Sequence, residues 1–272
     1  MTWNSTQRLL EEDCSGLFNV SKRQQNFAST VDHYPSLWSN YSIAGLGVAI
    51  TSGSANHTQA QLALSHIPSL KLGPGYRDSS KVLSSDSSAI LSPNTNGFLL
   101  SALLTQRQTG LAAFLLKNLW GAMIANTSST SAASWEYVNQ HSEPGYGQYT
   151  SLSHPWGGAA TYALTNYVAG IRPASFGYKT WVVEPAYVGF GLEQVDAKVT
   201  TPHGPLSVAW AVRGSVVNMT IDSPPETTGK LVLSKAWACT EGYLSHGCET
   251  AGDFVREIEG GRTEACTHLI QL

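Results

Sequence analysis

Charge is scarce in this chain. Of 272 residues only 13% are Asp, Glu, Lys or Arg, and the formal net charge is −3. No basic run or Lys/Arg-striped helical segment occurs, which excludes a nucleic-acid footprint. Long hydrophobic runs are lacking as well. The longest, GLAAFLLKNLWGAMIA, is broken by Lys117 and Asn118 and falls short of the roughly 20 apolar residues of a spanning helix, so the chain reads as soluble and globular, with no membrane partner. The four cysteines include no Cys-x-x-Cys pair. His57, His66, His141 and His154 have no ligand spacing with them, so no metal is expected. Gly73-Pro74-Gly75 reads as a turn rather than a phosphate-cradling loop, and no cofactor is expected. The N-terminal MTWNSTQRLLEEDCSG has neither a basic n-region nor an apolar h-region, so it is not a signal peptide.

Other features point to an oxidising, secretory compartment. Six Asn-x-Ser/Thr sequons begin at Asn4, Asn19, Asn40, Asn56, Asn126 and Asn218, above the roughly two or three that chance allows in a Ser/Thr-rich chain. Cys239, Cys248 and Cys266 cluster late, with Cys14 alone near the start. A Cys239–Cys248 or Cys239–Cys266 bridge would suit such a compartment, and buried free thiols are the other reading. A secreted body without a leader leads us to expect that the natural start, signal peptide included, has been lost.

Periodicity divides the chain in two. Helical spacing is found over about 3–12, 38–50 and 57–65, then in NGFLLSALLTQ, GLAAFLLKNLWGAMIAN and GGAATYALTNYVAG. Two helices joined by the short QTG turn make an antiparallel hairpin. Residues 127–157, between that hairpin and GGAATYALTNYVAG, form a long irregular segment, a kind that is usually functional or disordered. After about residue 176 the period switches to two. YKTWVVEP, LSVAWAVRG, SVVNMTIDS, GKLVLSKA, DFVREIEG and ACTHLIQL read as short strands of an antiparallel β-sandwich. Helices followed by strands suggest an α+β chain of two domains, 1–176 and 177–272.

The irregular segment holds the candidate chemistry. Glu136 follows Trp135 in SAASWEYV, and a carboxylate beside an indole suits a sugar-cleaving site. The ring packs on the apolar face of a pyranose while the acid handles a proton, and desolvation raises its pKa. GQYTSLSHPWGG gathers Tyr149, His154 and Trp156 just before a helix. His154 suits a hydrogen bond to a sugar hydroxyl, and Trp156 a pocket wall. The plainer readings are a solvated helix-end Glu and a structural turn His.

These segments resemble a known family as an ensemble. The run from LSPNTNGF through LKNLWGAMIANTSSTSAASWEYV to SLSHPWGGAATYALTNYVAGIRPASFGYKTWVVEP, and on to VTTPHGPLSVAW, is similar to the C-terminal half of glycoside hydrolase family 78, the α-L-rhamnosidases. The resemblance covers most of residues 90–212. It implies part of an (α/α)6-toroid barrel followed by a β-sandwich, acting on rhamnose-containing glycosides or polysaccharides by inversion. It makes Glu136 the general base that activates water, His154 and Trp135 residues of the sugar pocket, and Trp156 a further pocket residue. Inversion also needs an acid about 6.5–9.5 Å from the base. The family's acid lies upstream, in the first half of the barrel, and has no counterpart here. Glu12, Asp13, Asp32 and Asp78 read instead as surface residues. A toroid takes about twelve helices and residues 1–176 offer roughly half, so the N-terminal half of the barrel is expected to be missing.

Three readings follow. One is a rhamnosidase-type hydrolase in partial form, without its acid. Another is a non-catalytic carbohydrate- or partner-binding module derived from that family. The third is a different α/α-toroid glycosidase with another sugar preference.

Overall fold

The structure is a computed structural model that describes residues 42–78, 83, 85, 88–186, 190–233, 237–238 and 254–269. The helix expected over 3–12 and three of the cysteines lie outside those residues. So do Glu12, Asp13 and Asp32. The chain divides into two compact units, Met1–Ala160 and Thr161–Leu272.

In the first unit, helix α1 (Ile43–Thr51) is capped by Ser42, whose hydroxyl accepts from Gly45 N at 3.1 Å. Helix α2 (His57–Ser65) opens on a reciprocal capping box between Asn56 and Gln59, which satisfies two backbone donors that the helix itself cannot. Helix α3 (Pro93–Thr105) starts after Ser92, with Pro93 in the first turn where its missing N–H costs nothing. Helices α1 and α3 pack together closely. A Cβ on Gly47 would lie 2.5 Å from the Phe98 carbonyl oxygen, so only glycine permits this approach. The apolar run that follows forms α4 (Thr109–Leu115), a π-helical turn over Leu116–Trp120, and α5 (Gly121–Ala125). Leu99, Leu100, Leu103, Leu115 and Leu119 are wholly buried.

Asn96 fastens helix to loop. It is fully buried, accepts from Tyr76 N at 3.0 Å, and donates to Tyr76 O at 2.9 Å and Ser92 O at 3.0 Å. Its amide thereby holds β2 (Gly75–Tyr76), partner of β1 (Lys71–Leu72), against the start of α3. A second small pair joins β3 (Ile90–Leu91) to β4 (Val138–Asn139).

The division between units falls inside α6 (Ala159–Ala163), earlier than the change of period at 176. The helix continues as a π-helical turn over Leu164–Val168. Beyond it, strands β5 (Ile171–Pro173), β6 (Thr180–Val183), β7 (Gln194–Thr201), β8 (Gly204–Arg213), β9 (Val216–Leu233), β10 (Trp237–Ala238) and β11 (Phe254–Leu269) hydrogen-bond into one seven-stranded sheet. The first part of β9 pairs with β8, and its last part pairs in parallel with β6, while β11 runs antiparallel along nearly all of it.

Two expected strand breaks are instead one corner. VVNMTIDS and GKLVL share the single strand β9, and FVREIEG and ACTHL share β11. Pro224-Pro225 and Gly260-Gly261 sit opposite each other, where the register shifts between Glu259 and Gly261. A Cβ on Gly260 would come within 2.3 Å of Pro224 O, and Gly261 has φ +118°. Proline in a sheet is confined to edges and bulges, and here it marks a bulge. One core serves the sheet, drawing on Trp181 and Val183 from one side of the corner and on Leu206, Val208, Trp210 and Met219 from the other. Among the described residues no helix is long and apolar enough to cross a membrane. Cys266, half-buried on β11, is a free thiol, while Cys239 and Cys248, the other members of the expected bridges, lie outside the described residues.

Candidate functional site

Residues 127–157 are irregular but closely tied. Asn139 organises a tight turn, its side-chain oxygen accepting from His141 N at 2.9 Å and Glu143 N at 3.0 Å. Gly145 N donates to Tyr137 O at 3.0 Å, which closes the turn back on the residue after Glu136. Two further bonds join the segments that carry the candidate residues. Glu136 N donates to Ser151 O at 2.9 Å, and His154 N donates to Ser134 O at 2.7 Å. The stretches Ser134–Glu136 and Ser151–His154 therefore lie side by side. Gly157 packs beneath them, since a Cβ there would sit 2.7 Å from Ser134 Cβ. The indole of Trp120 donates to Gly157 O at 2.6 Å and fixes it to the helical core.

The four candidate residues come together in sequence space but differ in exposure. Glu136 is half-buried. His154 is also half-buried, and its Nε2 is buried without a hydrogen-bond partner among the described residues. Its ring meets Trp156 edge to face at 5.2 Å, and Trp156 itself is 69% exposed. Trp135 departs from the expected stacking role. It is completely buried, with its backbone N–H on Met123 Sδ at 3.3 Å, so its ring offers no face to a sugar. Trp135 lies between the α5 methionine and the tightly packed Gly157, and it anchors the segment that presents Glu136.

Three neighbours received no role in the site from the sequence. Tyr137 has its pKa raised, first by burial and then by the Glu136 carboxylate, with Tyr146 and Asp78 adding to the effect. Its phenol thus stays protonated, able to donate. Tyr146 packs edge to face on Tyr137 at 5.2 Å. Asp78 is half-buried rather than a surface residue. It accepts from Thr95 Oγ1 at 2.6 Å and Ser92 N at 3.4 Å at the start of α3. Burial raises its pKa, and those two bonds oppose the shift. Tyr137 directly follows Glu136 and could have been flagged by adjacency. Nothing in the sequence marks Tyr146 or Asp78. A separate cleft of about 470 Å³ is lined by Lys117, Asn118, Asn126, His141 and Glu143 among others, and includes neither Glu136 nor His154.

In the second unit, the Thr201-Pro202-His203-Gly204 motif is the turn between β7 and β8. The Thr201 hydroxyl donates to Gly204 O at 2.6 Å and accepts from His203 N at 3.2 Å. Arg172 of the Gly-Ile-Arg-Pro motif pairs with Glu184 and lies 5.6 Å from the Tyr167 ring centroid.

Comparison with known proteins places these motifs. Residues 170–241 match the profile of the bacterial α-L-rhamnosidase C-terminal domain. An α-L-rhamnosidase of Streptomyces avermitilis is 28% identical over 144 residues, which are 52% of this chain and 13% of that protein. The solved structure of a Streptomyces avermitilis α-L-rhamnosidase complexed with L-rhamnose superposes with TM-score 0.58 at 18% identity, covering 84% of this chain and 21% of that one. The Aspergillus terreus α-L-rhamnosidase gives TM-score 0.58 at 17% identity, covering 83% and 24%. The chain therefore spans a quarter or less of each relative's length. In sequence, residues 170–241 match the C-terminal domain of bacterial α-L-rhamnosidases, and in fold the chain is similar to part of solved α-L-rhamnosidases.

Proposed function

We propose that this chain carries the base side of an inverting α-L-rhamnosidase site. The observation behind this reading is the backbone pairing that lays Ser134–Glu136 along Ser151–His154, together with the unpartnered, buried Nε2 of that histidine. A buried polar atom without a partner is uncommon in a folded protein and suits a ligand hydroxyl. On this reading the Glu136 carboxylate takes a proton from the water that attacks the anomeric carbon, and configuration inverts. His154 Nε2 hydrogen-bonds a sugar hydroxyl. Trp156 forms an open wall, and Trp135 holds the backbone that aims Glu136. Tyr137 sits close enough to feel the carboxylate's charge and supplies a protonated phenol beside it. The acid that protonates the leaving oxygen from the other face of the sugar is not among the residues assigned to this chain.

The reading extends to architecture. Residues 1–176 are taken as the C-terminal part of a six-hairpin (α/α)6 barrel and 177–272 as a C-terminal β-sandwich, with rhamnose-containing glycosides or polysaccharides as partners. Titrating the protein with L-rhamnose, D-mannose and D-glucose, followed by tryptophan fluorescence, tests it. L-Rhamnose is expected to perturb the emission of Trp156 at concentrations where the other two do nothing. Equal responses to all three sugars would overturn the sugar preference. Rhamnose binding with no hydrolysis, even when an acid-bearing partner segment is supplied, would favour the non-catalytic module.

The proposal includes secretion and glycosylation. The sequon residues Asn56 and Asn218 are exposed, and Asn126 is half-buried. Endoglycosidase treatment of native material is expected to lower its apparent mass, and an unchanged mass would remove that support.

A further inference from the structure

We propose that the cleft beside α5 is the seat of an N-linked N-acetylglucosamine carried by Asn126, and that this sugar fastens the 139–143 turn to the helix. The proposal rests on the reading of the chain as secreted and glycosylated. One residue joins two independent observations. Asn126 opens the sequon Asn126-Thr127-Ser128, and it also lines the cleft of about 470 Å³.

The sequon is set for attachment. Asn126 closes α5, its N–H donating to Ala122 O at 3.0 Å, and Thr127 and Ser128 beyond it are exposed. The Ser128 hydroxyl donates to Asn126 Oδ1 at 2.7 Å, which holds the side-chain amide by its oxygen. Nδ2, the atom that takes the sugar, has no hydrogen-bond partner among the described residues. In the attachment step Nδ2 bonds to the anomeric carbon and gives up one proton, while the bond from that carbon to a lipid diphosphate donor breaks and the lipid diphosphate leaves. The other two sequons among the described residues are placed differently. The Asn56 side chain caps α2, and Asn218 stands mid-strand in β9 between β8 and β11; neither lines this cleft.

The cleft suits an N-acetylated sugar. Gly121, Ala122 and Ala125 give it a small apolar side that fits the acetyl methyl. Lys117 from the helix, with His141, Ser142 and Glu143 from the turn, supplies donors and acceptors on two facing walls. A pyranose hydrogen-bonded to both walls joins the helix to the turn. That turn is organised by Asn139 and closes on Tyr137, so the sugar braces the segment next to Glu136.

The test expresses the whole chain behind a supplied leader in a secretory host that adds high-mannose glycans, and maps them by mass spectrometry of the peptides. Asn126 is expected to be occupied. Endoglycosidase trimming then leaves one N-acetylglucosamine on it, and amide exchange over 139–145 should be about 3- to 10-fold slower than in the bare Asn126→Gln variant, as one added hydrogen bond would give. Ser128→Ala, which keeps Asn126 but loses the sequon, should exchange like Asn126→Gln. Ala125→Leu, which crowds the cleft, should keep the glycan and lose most of the slowing. An empty Asn126 in protein glycosylated at other sequons overturns the proposal while leaving glycosylation standing. An occupied Asn126 with unchanged exchange overturns the seat. A protein without glycan at any sequon overturns the glycosylation reading, and the proposal with it.

Discussion

Replacing Glu136 by glutamine is expected to cut rhamnoside hydrolysis by about 10²- to 10⁴-fold, the loss typical of a missing general base. The measurement belongs in a polypeptide that also carries the acid, with kcat and KM determined separately. Glutamine keeps the size of the side chain and the backbone bond from residue 136 to Ser151 O. The loop should therefore stay in place and rhamnose should still bind. The loss should fall on kcat, because a glutamine amide cannot accept the proton of the attacking water. Turnover within a few-fold of the parent would show that Glu136 is not the base. A rise in KM at unchanged kcat would make it a binding residue instead.

The second large effect concerns stability. Trp181→Ala is expected to destabilise the sheet unit by about 3–5 kcal/mol, the usual cost of emptying a buried aromatic site. Trp181 is 1% exposed and stands directly opposite Gly229 in the parallel β6–β9 pair. Its ring covers that glycine so closely that a Cβ on residue 229 would lie 2.2 Å from it. The indole N–H donates to Thr227 Oγ1 at 3.0 Å, and that hydroxyl donates to Pro224 O at 2.7 Å, at the corner of the sheet. The alanine variant loses both the packing and this chain of bonds. Trp181→Phe should retain most of the ring and lose about 1 kcal/mol with the hydrogen bond. Denaturant unfolding measures both. An alanine variant within about 1 kcal/mol of the parent would mean the core closes over the gap.

Much of the helical part could be read from local pattern. Helix α2 occupies the expected 57–65, and α1 and α3 differ from expectation only at their ends, because caps such as Ser42, Asn56 and Ser92 act within a few residues. The sheet was less legible. Strand β7 (QVDAKVTT) is missing from the sequence reading although its Val195, Ala197 and Val199, packed against the core, alternate with the polar Asp196, Lys198 and Thr200. Pro224-Pro225 and Gly260-Gly261 looked like ends of strands. Locally they are breakers, and only the pairing of one with the other turns them into a corner. The parallel β6–β9 pair is likewise a product of long-range topology.

The candidate site divides in the same way. The Trp-Glu and Ser-His-Pro-Trp segments were legible as motifs, and the structure lays them side by side. The burial of Trp135 was not legible, since it depends on Met123 and Gly157 from elsewhere in the chain. The Tyr137–Tyr146 contact and the anchoring of Asp78 also depend on closure of loops far apart in sequence.

The corner in β9 and β11 bears on how the sheet comes apart. Both strands run through it unbroken, so each is a structural member of both halves at once. Neither half can fray independently without tearing hydrogen bonds from a strand the other still needs. The two halves, joined further by a common apolar core, are thus bound into a single cooperative folding unit.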